Sequence, residues 1–438
     1  MLSRLFKHKF KNWSRTIKFW PNQFKQPTST KAVINIVNEA REKGWCIRPQ
    51  GAGHSFSPLL PTHDTLLKLD KLESQVNVEG TEATVPAGMK LKDVIKELKR
   101  HNLGLKNIGS ITEQSIAGAI STGTHGTGRG LGSMSTLVKG MTLVSGNGEV
   151  RVIKSSDNEL LRAARLSLGA MGIITEVTLE CVPYYSLEYS AYLGRFDSIV
   201  NRLDDLSKEN ERVLLWWLLP PIGPHDLVII ITKNSSSRPQ GFLEGANDVD
   251  VMKLLDRVRY NRLPMNLVKL ARMFSARGDL GSDECWRVLS WSGGYEDVLT
   301  IPLLPVYHQE CEYAIPAENA AEALRALRVV LDEADMHLLL PVEVRYVAKD
   351  DSLLSPSREG DVCYIGASTM ENALEVFNRF EPMMRKLGGR PHWGKHFNLN
   401  RDDVRELYPE TFDTFVNIRR EWDPERVFLN SFLRNLFE

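Results

Sequence analysis

Two glycine-rich segments constrain this chain more than anything else in it. The first reads Arg48-Pro49-Gln50-Gly51-Ala52-Gly53-His54-Ser55-Phe56-Ser57. The second runs from Gly109-Ser110-Ile111-Thr112-Glu113-Gln114-Ser115 through Gly118 to Thr122-Gly123-Thr124-His125-Gly126-Thr127-Gly128. Glycines permit backbone dihedrals that other residues avoid, so successive amides can converge on a bound anion. A diphosphate is the natural guest. Either segment alone is a weak signal, and the pair in this order is a strong one. His54 follows the first turn directly and can stand beside whatever the diphosphate carries. In the second segment, Glu113, Gln114 and Ser115 followed by Ile116, Ala119 and Ile120 predict the first turns of a helix. Amides at a helix N-terminus favour an anion. Thr122 to Gly126 mixes hydroxyls with glycines, so side chain and backbone can both hydrogen-bond a ligand.

The pattern around these loops is mixed. Val33, Ile36, Val37 and Ala40 define a helical face that Gly44 stops. Trp45 to Pro49 then reads as a strand entering the first loop. Leu66 to Leu69 and Ala83 to Val85 read as strands, and Leu91, Val94, Ile95 and Leu98 as a helix. Leu137 to Ser145 and Glu149 to Ile153 form a hairpin through Gly146-Asn147-Gly148. Ser156 or Asp157 is expected to cap the next helix. Ile173 to Val182 is a strand ended by Pro183. Beyond it, strands (Leu214 to Leu219, Leu227 to Thr232, Gln309 to Ile315, Leu339 to Val347, Val362 to Thr369) alternate with helices (Ala317 to Ala334, Asn372 to Leu387). That suits a sheet covered by helices. Ser235 to Ser282 is poorly patterned and predicts a loop with one or two helices.

Composition excludes several classes. The 438 residues carry zero net charge, so no global field argues for nucleic acid. No apolar run approaches the ~18 residues of a spanning helix. Cys46, Cys181, Cys285, Cys311 and Cys363 are scattered, without metal-ligand spacing, which suits free thiols in a reducing, cytoplasmic compartment. The N-terminus is basic, with no acidic residue before Glu39. Leu2, Leu5, Phe6, Phe10 and Trp13 follow helical spacing. The segment reads either as a plain soluble extension or as an amphipathic helix making weak peripheral contact with an anionic membrane. It lacks the apolar core of a signal peptide.

Charged residues in the second half form two clusters. Glu343 and Arg345 are two apart on a predicted strand, between apolar Val342, Val344 and Tyr346. Period two puts both charges on one face, about 6.5–7 Å apart. That face is either solvated or a site. His392-Trp393-Gly394-Lys395-His396 places two histidines four apart. A zinc helix would need the glutamate of His-Glu-x-x-His, and Gly394 weakens a helix, so no metal is expected. His308 and Cys311 are expected in a core strand.

These segments, with the closing Phe428-Leu429-Asn430, resemble the vanillyl-alcohol oxidase superfamily of FAD-binding proteins. Within it the chain is similar to the sugar-1,4-lactone oxidases (gulonolactone, galactonolactone and arabinonolactone oxidases), with alditol oxidases as near relatives. The likeness runs from about Asn12-Trp13 to the C-terminus. It implies an α+β fold. A PCMH-type FAD-binding domain of two subdomains would occupy residues 12–183, a substrate or cap domain 184–400, and a segment returning to the first domain 401–438. It implies FAD bound by Arg48, Pro49, Gln50, Gly51, Ala52, Gly53, His54, Ser55, Gly109, Ser110, Gln114, Ser115, Gly118, Thr122, Gly123, Thr124, Gly172 and Ile174. His54 would be bonded to the flavin 8α carbon. His125 would either touch flavin or fix its loop.

The same likeness implies a reaction. A carbinol C–H of a sugar lactone or polyol gives hydride to flavin N5, and oxygen reoxidises the flavin to yield hydrogen peroxide. Arg345 would stabilise negative charge, Glu343 would orient the substrate hydroxyl and accept its proton, and Lys395 would stand as a cation above the substrate. Ser110 and Ser368 would contact substrate. Gly109 stands where related lactone dehydrogenases carry alanine, which favours an oxidase over a dehydrogenase using a quinone, dye or cytochrome. A flavin-storing module is the non-catalytic alternative.

Overall fold

The helix Thr30–Lys43 buries Val33, Val37 and Ala40 on one face. Ser29 caps its start, and Gly44, at φ 62°, ends it in the left-handed region. The chain turns straight into the strand Ile47–Gln50, which lies parallel to Thr65–Lys68, itself parallel to Gln23–Lys25. This three-stranded sheet delivers Arg48 to Gln50 at the start of the first glycine loop. The structure, a computed structural model, describes residues 8–438 apart from 74, 223–224, 246–284, 302–306, 334–337, 339 and 371–372. Most of the poorly patterned stretch 235–282 thus lies outside the described residues.

A second sheet has five antiparallel strands in the order Val150–Ile153, Val138–Val144, Ile173–Glu180, Glu82–Pro86, Asn77–Glu79. Its first two strands are the expected hairpin, with Val144 opposite Val150 and Gly148 at φ 77° in the turn. The helix Asn158–Ala164 follows, but Asp157 does not cap it with its side chain. Its carboxylate accepts from the backbone of Lys154 instead.

The third sheet has nine strands. Their order is Leu243–Gly245, Trp286–Gly294, Ser186–Arg195, His225–Ser235, Val213–Ile222, Val342–Val347, Val362–Thr369, Gln309–Pro316, Arg390–Pro391. Helices cover one face. Phe196 of the helix Phe196–Asn201 packs on Trp217, and Phe380 of the helix Ala373–Lys386 packs on Tyr313. The helix Ala320–Glu333 packs beside both. The opposite face carries the charged residues described below. The chain end comes back to the first loop: Val427 and Phe428 carbonyls accept from Ile47 and Arg48, and Asn430 donates to the Pro58, Leu59 and Pro61 carbonyls.

The N-terminus departs from the helical expectation. Phe10–Lys11 pairs with Lys18–Phe19 as a hairpin. Phe10 is buried against Phe19 and against Gly53, and Trp13 donates its amide to the Gly53 carbonyl. Residues 1–7 lie outside the described set. Among the described residues no helix is long and apolar enough to cross a membrane.

Candidate functional site

A groove runs between the two glycine loops. Arg48 to Ser55 form one wall, Gln114, Ser115, Gly118 and Thr122 the other, and Gly172 and Ile174 close its side. The loops touch backbone to backbone. A Cβ placed on Gly51 would sit 2.5 Å from Ser115 Oγ and 3.5 Å from Gly118 Cα. Ser115 Oγ and Gln50 Oε1 are buried without a hydrogen-bond partner. Such atoms are costly unless a ligand meets them, so the groove suits a guest rich in polar groups, as FAD is.

Some expected residues serve differently. The Arg48 guanidinium is spent on the carbonyls of Leu59, Leu168, Gly169 and Phe428. It binds the C-terminal segment to the groove rather than offering free donors. Gly123 lines neither hollow; at φ 73° it turns the chain against Leu166. Glu113 faces outward, 2.7 Å from both Lys90 and Lys92. The expected helix begins later, at Ile116.

A second cavity adjoins the groove, and His54, Ser55, Gln114 and Thr122 line both. Gly109, Ser110, Thr124 and His125 line this cavity and not the groove. Its far wall is the bare face of the nine-stranded sheet. Strand register explains why. Trp216 lies opposite Glu343, and Leu214 opposite Arg345. Glu343 lies opposite Gly366, which lies opposite Glu312, and Ser368 lies opposite Glu310. Directly paired residues share a face, and alternate residues along a strand share it too. Trp216, Glu343, Arg345, Ser368, Glu310 and Glu312 therefore all face the cavity, and all line it.

Glu343 has both oxygens engaged. Oε1 accepts from the Trp216 indole at 2.8 Å, and Oε2 pairs with Arg345. Lys395 pairs with Glu310 and lies 3.9 Å from Glu312. Burial works against charge on Lys395 and Arg345, but the carboxylates around them outweigh it, so both are held above their usual values as firm cations. Burial likewise opposes charge on Glu310 and Glu312, and Lys395 for the first and His125 for the second lead the groups that keep them low.

Glu310 and Glu312 were not singled out from the sequence. They obey the same two-residue spacing as Glu343 and Arg345, and that spacing was the available signal. His308, expected in a core strand, instead precedes it and lines the cavity beside Trp13, at a ring distance of 5.0 Å. Cys311 is buried in the strand. His392 and His396 do not converge: His392 lies with His125 and Glu312, while His396 packs on Phe377. His54 is pushed down chiefly by burial and so stays neutral, the nucleophilic form of an imidazole.

A family model for D-arabinono-1,4-lactone oxidase matches residues 177–436, and one for an FAD binding domain matches residues 21–154. The chain is 31% identical to L-gulonolactone oxidase of Bos taurus, over 98% of each chain. It is 30% identical to L-gulono-1,4-lactone dehydrogenase of Mycobacterium tuberculosis (97% of this chain, 98% of the relative). It is 27% identical to D-arabinono-1,4-lactone oxidase of Yarrowia lipolytica (97% and 96%). Among solved structures, cholesterol oxidase of Brevibacterium sterolicum shares the fold at a TM-score of 0.78 and 18% identity, covering 99% of this chain and 97% of that one. Groove, cavity and both family matches agree: the chain belongs to the D-arabinono-1,4-lactone oxidase family of FAD-binding oxidoreductases.

Proposed function

We propose that this protein oxidises a carbinol carbon of a sugar-1,4-lactone, holds FAD covalently through His54, and passes electrons to oxygen to give hydrogen peroxide. One observation carries the reading: the glycine-walled groove and the charge-lined cavity meet at His54. Bound in the groove, FAD supplies the two-electron acceptor. The residues of the chain do the rest. Arg345 and Lys395 present fixed cations to a substrate oxygen that gains negative charge. Glu343, clamped by Trp216 and Arg345, orients a hydroxyl. Each of its oxygens already accepts one hydrogen bond, which fixes the direction in which the remaining lone pairs point. Ser110 and Ser368 line the same cavity and are assigned to substrate contact. All five cysteines are free thiols, which supports a reducing compartment such as the cytoplasm.

A dehydrogenase is the second reading, because the mycobacterial relative carries that name. A panel of aldonolactones and polyols, scored by anaerobic flavin bleaching and by peroxide release, tests the proposal. Lactones are expected to bleach the flavin, and air to restore it with peroxide. Bleaching by polyols alone would move the substrate class. Brisk turnover with a quinone but sluggish recolouring in air would move the acceptor. Denatured wild type is expected to fluoresce as flavin on a gel, and His54→Ala to lose that band. FAD fully extractable from flavin-loaded wild type would end the covalent claim.

A further inference from the structure

The cavity holds an acceptor for the substrate's hydroxyl proton besides Glu343. His125 lines the cavity and is nearly sealed from solvent, at 3% exposure. Its Nδ1 lies 2.9 Å from the Gly126 carbonyl oxygen. A carbonyl only accepts, so Nδ1 carries the hydrogen. In the neutral ring, Nε2 then holds a lone pair. Glu312 Oε1 stands 3.5 Å from it. Two acceptors thus face each other across a gap longer than an N–H···O bond. One proton between them would convert that opposition into an imidazolium–carboxylate pair. Stacking on Tyr364, at 3.8 Å and 21°, fixes the ring plane.

His392 converges on the same spot, with donor atoms within 4.8 Å. This trio is not a three-ligand metal site. Gly394 donates its amide to His392 Nδ1 at 2.9 Å, so the His392 hydrogen sits on Nε2 and no lone pair is left to offer.

Charged groups surround the pair. From the Gln309–Pro316 strand come Glu310 and Glu312, and from Val342–Val347 come Glu343 and Arg345. Lys395 and His392 come from the segment after Arg390–Pro391, and Tyr364 from Val362–Thr369. Burial keeps His392 neutral, lowered to about 3, and raises Tyr364, so it stays neutral too. Three carboxylates therefore face Arg345 and Lys395, with Lys233 a third basic group on the same sheet face.

We infer that His125 and Glu312 together accept the substrate's hydroxyl proton. The inference rests on the lactone-oxidising reading above. The O–H bond of the carbinol breaks, and its proton passes to His125 Nε2, directly or through one water. There Glu312 holds it. The hydrogen of the adjacent C–H bond leaves with its electron pair to the two-electron acceptor in the groove, and the carbon–oxygen double bond forms. The proton returns to solvent before the next turnover.

Two measurements test this, one of them independent of turnover. In flavin-loaded protein with nitrogen-15-labelled histidine, the His125 signals are assigned by their loss in His125→Asn. A ring with its hydrogen on Nδ1 is expected. A ring with its hydrogen on Nε2 would overturn the inference, whether or not any lactone reacts. The second measurement uses Glu312→Gln. The amide can donate to the Nε2 lone pair, so flavin content is expected to persist, while the anion that stabilises the imidazolium is gone. Anaerobic bleaching is expected to slow by about 100-fold or more, with its acid limb moved to lower pH. Lys233, buried on the same sheet face and pushed down to about 7, can contribute a limb of its own. Comparison with the variant, rather than the wild-type profile alone, therefore assigns the limb. Wild-type bleaching rate and limb in Glu312→Gln would refute the assignment. If no lactone bleaches even the wild type, the substrate reading fails and the labelled-histidine result still decides the tautomer.

Discussion

The groove and the cavity share His54, Ser55, Gln114 and Thr122 and are otherwise built differently. The groove is largely backbone. Two contiguous loops supply most of its walls, and they meet where Gly51 and Gly118 approach each other around the Ser115 hydroxyl. The cavity is side chains. Its far wall draws on four strands and on one segment beyond them, and its charged members are ion-paired to one another. A site made of loops tolerates the loss of one side chain better than a buried charge network does. Perturbing the two regions should therefore give effects of different size and kind.

The largest effect is expected at Lys395. Replacing it with methionine leaves Glu310 without its main cation and removes a cation 3.9 Å from Glu312, in a buried setting. Breaking a buried pair typically costs about 3–5 kcal/mol of stability. Removing one preorganised charge slows reaction by about 100-fold or more. Lys395→Met should therefore melt earlier and bleach slowly with lactone, yet retain its flavin, since Lys395 does not line the groove. Loss of flavin in this variant would erase the distinction between the two regions.

The same contrast explains what could be read from sequence. The groove was legible because its residues are adjacent along the chain and glycine marks close backbone approach. Within it, nothing local shows that four carbonyls from three other segments occupy the Arg48 guanidinium. In the cavity, Glu343 and Arg345 were found by period two. Glu310 and Glu312 obey that period too, but strand order is what sets them beside Ser368 and Gly366. Strand order is a long-range property that local spacing does not encode. The strand Ser186–Arg195 buries Leu187, Tyr189, Ala191 and Leu193 at alternate positions. That alternation was readable and was not used.

Gly109 sits on the boundary and sharpens the comparison next. A Cβ there would lie 2.6 Å from Thr124 Cγ2, so an added methyl meets a β-branched side chain rather than open space. Thr124 in turn accepts a hydrogen bond from Gln114, which lines both hollows. Gly109→Ala alone is thus expected to disturb both half-reactions. Gly109→Ala with Thr124→Ser makes room for the methyl. In that pair, reoxidation by oxygen should slow by about tenfold, roughly 1.4 kcal/mol in barrier, while anaerobic bleaching stays near wild type. Stopped-flow traces of the two half-reactions decide it. Equal slowing of both would show that Gly109 serves packing and not oxygen access.

Within the groove itself a smaller effect is expected. Gly51→Ala pushes its methyl into Ser115 Oγ, an atom with no partner to hold it and free to rotate away. Loading of FAD into flavin-free protein should slow by several-fold, less than tenfold, or under about 1.4 kcal/mol. Ser115→Gly in the same chain should restore part of it. A loss as large as that of Lys395→Met in bleaching would mean that the groove is no more tolerant than the cavity.

The smallest effect concerns the N-terminal hairpin, which belongs to the groove's rim. Removing residues 1–11 would not test membrane contact cleanly, because Phe10 is buried against Gly53 and its loss would open the first glycine loop. The available contact surface is instead Lys9 over the exposed Trp20, at 5.2 Å, with exposed Lys11 and Lys18 opposite each other. An exposed tryptophan flanked by lysines suits an anionic interface. One lysine near such a surface contributes about 1 kcal/mol at best. Lys11→Gln should therefore lower sedimentation with anionic vesicles by no more than about fivefold at low salt, and make no difference at high salt, where screening removes the attraction. Flavin loading and bleaching should not change, since Lys11 lines neither hollow. Identical sedimentation of wild type and variant at low salt would leave the hairpin with a single role, closing the rim of the groove over Gly53 and His54.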